Sequence, residues 1–399
     1  MKVAGIIAEY NPFHNGHALL IEKARRAGAT HVVAVMSGNF VQRGECAMFH
    51  HRERTKAALL SGVDLVIQLP AVYAVSGAQS FARAGVELLD SLGFVDTLVF
   101  GSECGDITKL TDAAEAVYSS EVQSLIAQET EKGISFAAAR ENALRQISAD
   151  SADIIKEPNN ILGVEYIAAI MQSGSRMQPV TFRRIGAGHD AASAEGETAS
   201  ASHIRECISN GAEWEKYVPA NAVQVFENAI KNNISPVELS KNELAVLYKM
   251  RTVSREELAL APDVSEGIEN RIIAAAKEAS TLNELYSKAK TKRYSHARIR
   301  RIVVNSFLGI TAADLKIRPP YIRVTGFTPE GRELIKTAKE TAVLPIITKA
   351  ADVSKLGAQA QRIFELECTA GDIYSLMMPC ALPCGEEKRF TPVGVINII

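Results

Sequence analysis

No stretch of this 399-residue chain reaches the roughly eighteen consecutive apolar residues that span a bilayer, although 47% of its residues are hydrophobic. The apolar run near the N-terminus is too short for a signal sequence and is broken by Glu9. A cytoplasmic protein with no membrane partner is therefore expected. Cysteine is scarce, and six thiols scattered over this length exclude a disulfide scaffold. Cys380 and Cys384 lie four apart with Cys368 upstream, but a zinc site wants a second close pair. No structural metal is expected from them. Net charge is nearly absent, at −2, so no global attraction to nucleic acid operates and any such contact must be local. Internal repeats and low-complexity tracts are missing as well. The length admits two or three ordinary globular domains.

The first hundred residues alternate short Val/Ile/Leu-rich runs with helical patterns. Strands are predicted at Val3–Ala8, His31–Ser37, Val63–Leu69, Thr97–Gly101 and Pro179–Arg183. Helices are predicted at Gly16–Gly28, His51–Ser61 and Gln79–Leu92. Such alternation indicates a parallel sheet covered on both faces. Between the fourth and fifth strands, residues 107–172 are mostly helical and too long for a simple crossover, which predicts a helical insertion. Residues 187–200, rich in Gly, Ala and Ser, predict a mobile loop leading into a helix near Ser202. From 219 to 310 the patterns are helical, including Lys241–Val253, Ser265–Glu278 and Ala297–Leu308. Strands are predicted again at Ile322–Phe327, Val343–Thr348 and Val393–Ile399, around a helix at Pro329–Glu340.

The stretch Ile6–His17, IIAEYNPFHNGH, carries the most chemistry. It runs from a buried strand through a turn onto a helix, with His14 and His17 one helical turn apart on one face. Gly16 keeps a side chain out of a ligand's way and Pro12 stiffens the turn. A helix N-terminus offers unpaired N–H groups and partial positive charge, which suit phosphate. HNGH resembles the HxGH signature of the nucleotidyltransferase superfamily. SASHIR (Ser200–Arg205) resembles that superfamily's second motif, ISSTxxR, with Ala201 and Ser202 in place of Ser and Thr. A helix-start hydroxyl at Ser202 and the Arg205 guanidinium suit β- and γ-phosphates. SGNFVQRGE (Ser37–Glu45) and FGSE (Phe100–Glu103) each follow a strand, placing Gln42, Arg43 and Gly101 at the sheet edge where open α/β sheets bind ligands.

EYNPFHNGH, MSGNFVQRGE, DLVIQLPAVYAVSGAQSFARAGV, FGSE, EPNNILGVEY, RRIGAGHD and KRYSHARIRRIVVN occur in this order. Together they resemble the bacterial tRNA(Met) cytidine acetate ligase family from residue 1 to the C-terminus. The resemblance implies a Rossmann-like nucleotidyltransferase (HUP-type) domain at 1–215 and a mixed helical and α+β RNA-binding region at 216–399. It also implies ATP-dependent activation of acetate as acetyladenylate and acetylation of N4 of the wobble cytidine of elongator tRNA(Met). His14 and His17 would be catalytic, as imidazolium ions or hydrogen-bond donors. The ATP site would comprise Ile7, Ala8, Glu9, Tyr10, Asn11, Pro12, Phe13, His14, Asn15, Gly16, His17, Ala18, Leu19 and Leu20. Gly101, Asn160, Arg184, Ser202 and Arg205 would complete it, with either Arg183 or Arg184 facing the nucleotide. Mg²⁺ is expected to accompany ATP, and the acetate pocket is expected near Tyr10, Phe13 and Phe40.

Seven cations and no acid occur between Tyr286 and Arg301: Lys288, Lys290, Lys292, Arg293, Arg298, Arg300 and Arg301. This run predicts a phosphate-binding surface for tRNA, with Tyr294 and His296 available to stack on bases. Lys316, Arg318, Arg323 and Arg332 would extend it. Two alternatives fit the nucleotide motifs, a small-molecule adenylyltransferase and an ATP-sensing RNA-binding protein without catalysis. The first leaves the basic run unexplained, and the second gives an intact His14, Gly16, His17 and Arg205 no work.

Overall fold

A computed structural model describes residues 1–184 and 198–395. Most of the loop expected at 187–200, and the last residues of the strand expected at Val393–Ile399, lie outside them. Eight strands form the main sheet: β1 (Val3–Ala8), β2 (His31–Ser37), β3 (Leu65–Leu69), β4 (Thr97–Ser102), β5 (Gln178–Arg183), β6 (Ile322–Phe327), β7 (Ile346–Ile347) and β8 (Val393–Gly394). Their order is β8-β6-β3-β2-β1-β4-β5, and β7 pairs with β6. The run β3-β2-β1-β4-β5 is parallel throughout. Its direction of winding reverses between β1 and β4, the switch point at which doubly wound sheets open a ligand crevice. HNGH follows β1 and FGSE ends β4, so both motifs stand at that crevice.

The strands are apolar on both faces because helices cover both. On one side lie α1 (Asn15–Arg26), α2 (His51–Leu60) and α6 (Ala220–Lys231), around a core of Ile6, Ala34, Val66 and Phe226. On the other lie α3 (Ala78–Asp90) and α4 (Pro158–Ser173), around Ile7, Val35, Phe81 and Leu98. Short helices fill 107–154. The expected insertion is thus shorter than 107–172, because α4 packs on α3 and β4 as the crossover helix of the sheet itself.

The boundary expected at residue 215 does not divide the sheet. β6 pairs antiparallel with β3, and β8 pairs with β6, so strands from the C-terminal half extend the N-terminal sheet. Helix α5 (Ala201–Asn210) precedes the boundary, and α6 follows it and packs on α2. The helical run then includes α7 (Leu282–Ala289) and α8 (His296–Leu308), and α9 (Ala358–Met377) lies nearer the C-terminus. Among the described residues no helix is long and apolar enough to cross a membrane.

Candidate active site

Two helix starts meet at the carboxyl edge of the sheet. His14 is the N-cap of α1, and its Nδ1 accepts a hydrogen bond from the Gly16 N–H at 3.0 Å. His17 Nδ1 in turn accepts from the His14 N–H at 3.2 Å, a reciprocal capping box made of two imidazoles. The rings stack with centroids 3.7 Å apart. Each Nδ1 is an acceptor, so each neutral ring carries its proton on Nε2 and offers it as a donor. Burial, reinforced by Arg184 and Arg205, pushes His14 down to about 3. Burial, then His14 and Arg184, holds His17 well below its usual value. Before an anion binds, these are hydrogen-bond donors rather than imidazolium ions.

A cleft of about 200 Å³ opens beside them. Ser200 caps α5 by accepting from the His203 N–H at 3.1 Å, and Ser202 lines the cleft one step into that helix. Arg205 donates to the Asn11 carbonyl at 2.8 Å and to Ser202 Oγ at 3.2 Å, tying the HNGH turn to α5. Arg184 lines the cleft across from Gly101, where a Cβ would stand 3.1 Å from the Arg184 side chain. Arg183 lines only a flanking groove and packs on Gly105, which settles which of the two arginines faces the cleft. Arg43, Arg184 and Arg205 outnumber the two carboxylates present, Glu9 and Glu45, so the cleft favours an anion. Glu9 accepts from the Gln42 N–H at 2.8 Å, and burial raises its carboxyl against the pull of that bond and of Arg205.

The expected ATP-site residues divide. Ile7, Ala8, Glu9, Tyr10, Asn11, Leu20 and Gly101 line the cleft with both histidines, while Gly16 and Leu19 line the adjoining groove. Pro12 and Phe13 are buried behind the turn, and Ala18 packs towards the core. Asn15 donates its side-chain amide to the Lys216 carbonyl instead. Asn160 is a brace: its Oδ1 accepts from the Cys104 N–H at 3.1 Å, and Glu103 caps α4 through the Asn159 and Asn160 N–H groups. Asn159, one residue earlier, lines the cleft. Of the aromatic residues expected at the acetate pocket only Tyr10 lines the cleft. Phe13 and Phe40 are core residues with no exposed surface.

Arg54 escaped the sequence reading. It is fully buried and donates to the carbonyls of Phe49, Glu9 and Gly38, so one guanidinium holds the ends of β1 and β2 in place. A charged residue inside a helical pattern gives no hint of this. The pair His50–His51 also passed unnoticed. With Glu387 these residues form a buried group whose ligand atoms lie within 4.8 Å of one another. Arg323 pairs with Glu387 at 2.7 Å and sits over Phe364 and Phe390, so a guanidinium already supplies the positive charge there. Arg323 is thereby removed from the basic surface expected of it. The six cysteines are free thiols.

The basic run is less basic in space than in sequence. Lys288, Arg293, Arg300 and Arg301 pair with Glu278, Glu266, Glu45 and Asp263, acids that lie outside the run. Arg298 donates to the Asp263 carbonyl and Ser265 Oγ. Lys290 and Lys292 are exposed. Tyr294 is buried under Arg298 with its hydroxyl on the Glu266 carbonyl, so its ring is not available for stacking on a base. Beyond that segment, Arg318 pairs with Glu87 at 3.3 Å.

Comparison with known proteins agrees with this geometry. The family described as HIGH Nucleotidyl Transferase matches residues 1–388. A tRNA(Met) cytidine acetate ligase of Caldanaerobacter subterraneus subsp. tengcongensis is 41% identical over 94% of this chain and 95% of its own length. The protein of the same name from Acetivibrio thermocellus is 37% identical over 99% and 98%. The crystal structure of Thermotoga maritima TmcAL bound with alpha-thio ATP superposes with a TM-score of 0.94 at 31% identity, covering 100% of both chains. The apo form of that protein gives 0.95 at 32% identity, again over 100% of both.

Proposed function

Since the chain belongs to the tRNA(Met) cytidine acetate ligase family of HIGH nucleotidyl transferases, we propose that it activates acetate with ATP as acetyladenylate and acetylates N4 of the wobble cytidine of elongator tRNA(Met), forming N4-acetylcytidine. The observation that carries this reading is the stacked pair of neutral imidazoles at the start of α1, facing a cleft with Arg184 and Arg205.

Acetate is a poor acyl donor, and N4 is a poor nucleophile because its lone pair is delocalised into the ring. An acetate oxygen attacks the α-phosphorus of ATP and expels pyrophosphate, leaving a mixed anhydride. N4 then attacks the acetyl carbon, the bond from that carbon to the phosphate oxygen breaks, and AMP departs while N4 releases one proton to solvent. Both steps move charge onto phosphate oxygens, so alignment and fixed donors do the catalysis. The Nε2–H groups of His14 and His17, with the partial charge of the α1 N-terminus, suit the α-phosphate. Ser202, Arg205 and the start of α5 suit the β- and γ-phosphates, and Arg184 closes the side over Gly101. No nucleophilic thiol or hydroxyl is needed.

Mg²⁺ enters as part of the nucleotide. Of the two carboxylates on the cleft, Glu9 is held by the Gln42 N–H and Glu45 by Arg300, so neither presents a ready ligand for a resident ion. Lys288, Lys290 and Lys292 are the exposed lysines of the basic run, and Lys290 and Lys292 are its candidates for tRNA phosphate contact. The test is exchange of labelled pyrophosphate into ATP in the absence of tRNA. Exchange that requires acetate supports the adenylate route, and exchange indifferent to acetate contradicts it.

A further inference from the structure

A second cavity, about 250 Å³ in volume, shares Glu45 and Arg205 with the nucleotide cleft. One wall belongs to α5, through Glu206 and Ser209. The opposite wall belongs to the helical half of the chain, through Glu243, Asn283, Tyr286 and Arg300. The two halves are locked together at this spot. Arg300 pairs with Glu45 at 2.6 Å while its guanidinium lies 5.4 Å from the centre of the Tyr286 ring. Gly44, beside Glu45, has φ +72 and lies so close to the backbone of Arg300 and Arg301 that a Cβ would stand 2.6 Å from it.

We propose that this cavity receives the cytosine base to be acetylated, an inference that rests on the ligase reading above. Position is the first argument. Glu45 and Arg205 line both spaces, so a base held in this cavity adjoins the bound nucleotide. Size is the second: about 250 Å³ admits a single pyrimidine base.

Chemistry is the third. Cytosine presents an amine donor at N4 and acceptors at N3 and O2. The cavity offers carboxylates at Glu45, Glu206 and Glu243 for the amine, and donors at Arg205, Arg300 and Asn283 for the acceptors. The hydroxyl of Tyr286 and Nε of Arg300 are buried with no hydrogen-bond partner among the described residues, so donor capacity is left over. Uracil would turn an acceptor oxygen towards those carboxylates and be rejected. An anticodon-loop base is unpaired, so splaying it outward into a pocket is how RNA sequence is ordinarily read.

Ser209→Trp and Asn283→Trp each place a bulky ring at an exposed position on one wall of this cavity. Both variants and the unaltered chain are assayed for acetate-dependent pyrophosphate exchange without tRNA, and for acetyl transfer to unmodified tRNA(Met). Competition by anticodon stem-loops with cytidine or uridine at the wobble position gives a readout independent of chemistry. The expected result is exchange within twofold of the unaltered chain, transfer reduced at least tenfold, and a tenfold preference for the cytidine stem-loop that disappears in both variants. Undiminished transfer, or a retained preference, in both variants overturns the inference. Loss of exchange along with transfer in both also counts against it, since the cavity would then belong to the nucleotide site. Absence of acetate-dependent exchange in the unaltered chain would instead refute the ligase reading itself.

Discussion

His14 and His17 do two jobs with the two nitrogens of each ring. Nδ1 caps the helix, and that bond leaves the proton on Nε2, where a phosphate oxygen can use it. The HNGH pattern made the pair visible in the sequence, but not its tautomer, which depends on where the Gly16 and His14 N–H groups point. His17→Ala should lower kcat/KM for acetate-dependent exchange by about 10²–10³-fold, the usual cost of losing one such donor. The protonation state gives a second prediction. An imidazolium mechanism with an ordinary histidine would lose more than tenfold in kcat/KM for MgATP between about pH 7 and 8.5. Rings already neutral predict a flat profile over that range, and a decline would contradict the capping assignment. Stability follows the same sign. His14, at about 3, and His51, pushed down to about 4 chiefly by burial, both have folded values below the unfolded value of 6.5. Their contribution is complete above 6.5 and is lost as pH falls towards the folded values. Between about pH 7 and 4.5 the urea midpoint should therefore drop less in His14→Gln than in the unaltered chain, and an equal or larger drop in the variant would reverse the sign argued here.

The hairpin of Phe40–Val41 and Glu45–Cys46 links chemistry to the helical half of the chain. Its tip needs Gly44, both for a φ of +72 and for the approach of α8. Gly44→Val should cost about 1–3 kcal/mol in thermal or urea unfolding and should reduce acetyl transfer more than exchange. An equal loss in both reactions would mean that the hairpin serves only the nucleotide. Elements of this kind separate what was legible from what was not. The parallel strands β1 to β4 were readable because a strand buried on both faces is a continuous apolar run, whereas β5 is a half-exposed edge strand, QPVTFR. The strand expected at Val343–Thr348 shrinks to Ile346–Ile347, since its flanks are exposed and only two residues find a partner. The basic run was readable as composition, but its partners Glu45, Asp263, Glu266 and Glu278 lie outside it, so its neutralisation was not. Asn160, expected at the ATP site, stands in the first turn of α4 beside the cleft-lining Asn159, where helix starts and ligand sites draw on the same residue types.

Across the whole molecule, β6 and β8 carry the C-terminal half into the N-terminal sheet, so the catalytic and helical parts have a fixed relation. Arg323 on β6 reinforces that join, reaching Glu387 at 2.7 Å and Gln68 on β3 at 2.7 Å with little of it exposed. Arg323→Met would leave the Glu387 carboxylate buried without its guanidinium, a loss of about 3–5 kcal/mol that a urea titration would register. This antiparallel return was hidden in the sequence, because Ile322–Phe327 reads as a strand without saying which sheet it joins. A rigid frame of this sort is what a reaction at one cleft on a base carried by a large RNA requires. The most direct test supplies radiolabelled acetate to unmodified tRNA(Met), with and without ATP, for the unaltered chain and for His17→Ala. Label on the wobble cytidine only when ATP is present, and lost in the variant, is the predicted result. Absence of label from the unaltered chain while it still binds tRNA and ATP would contradict the account.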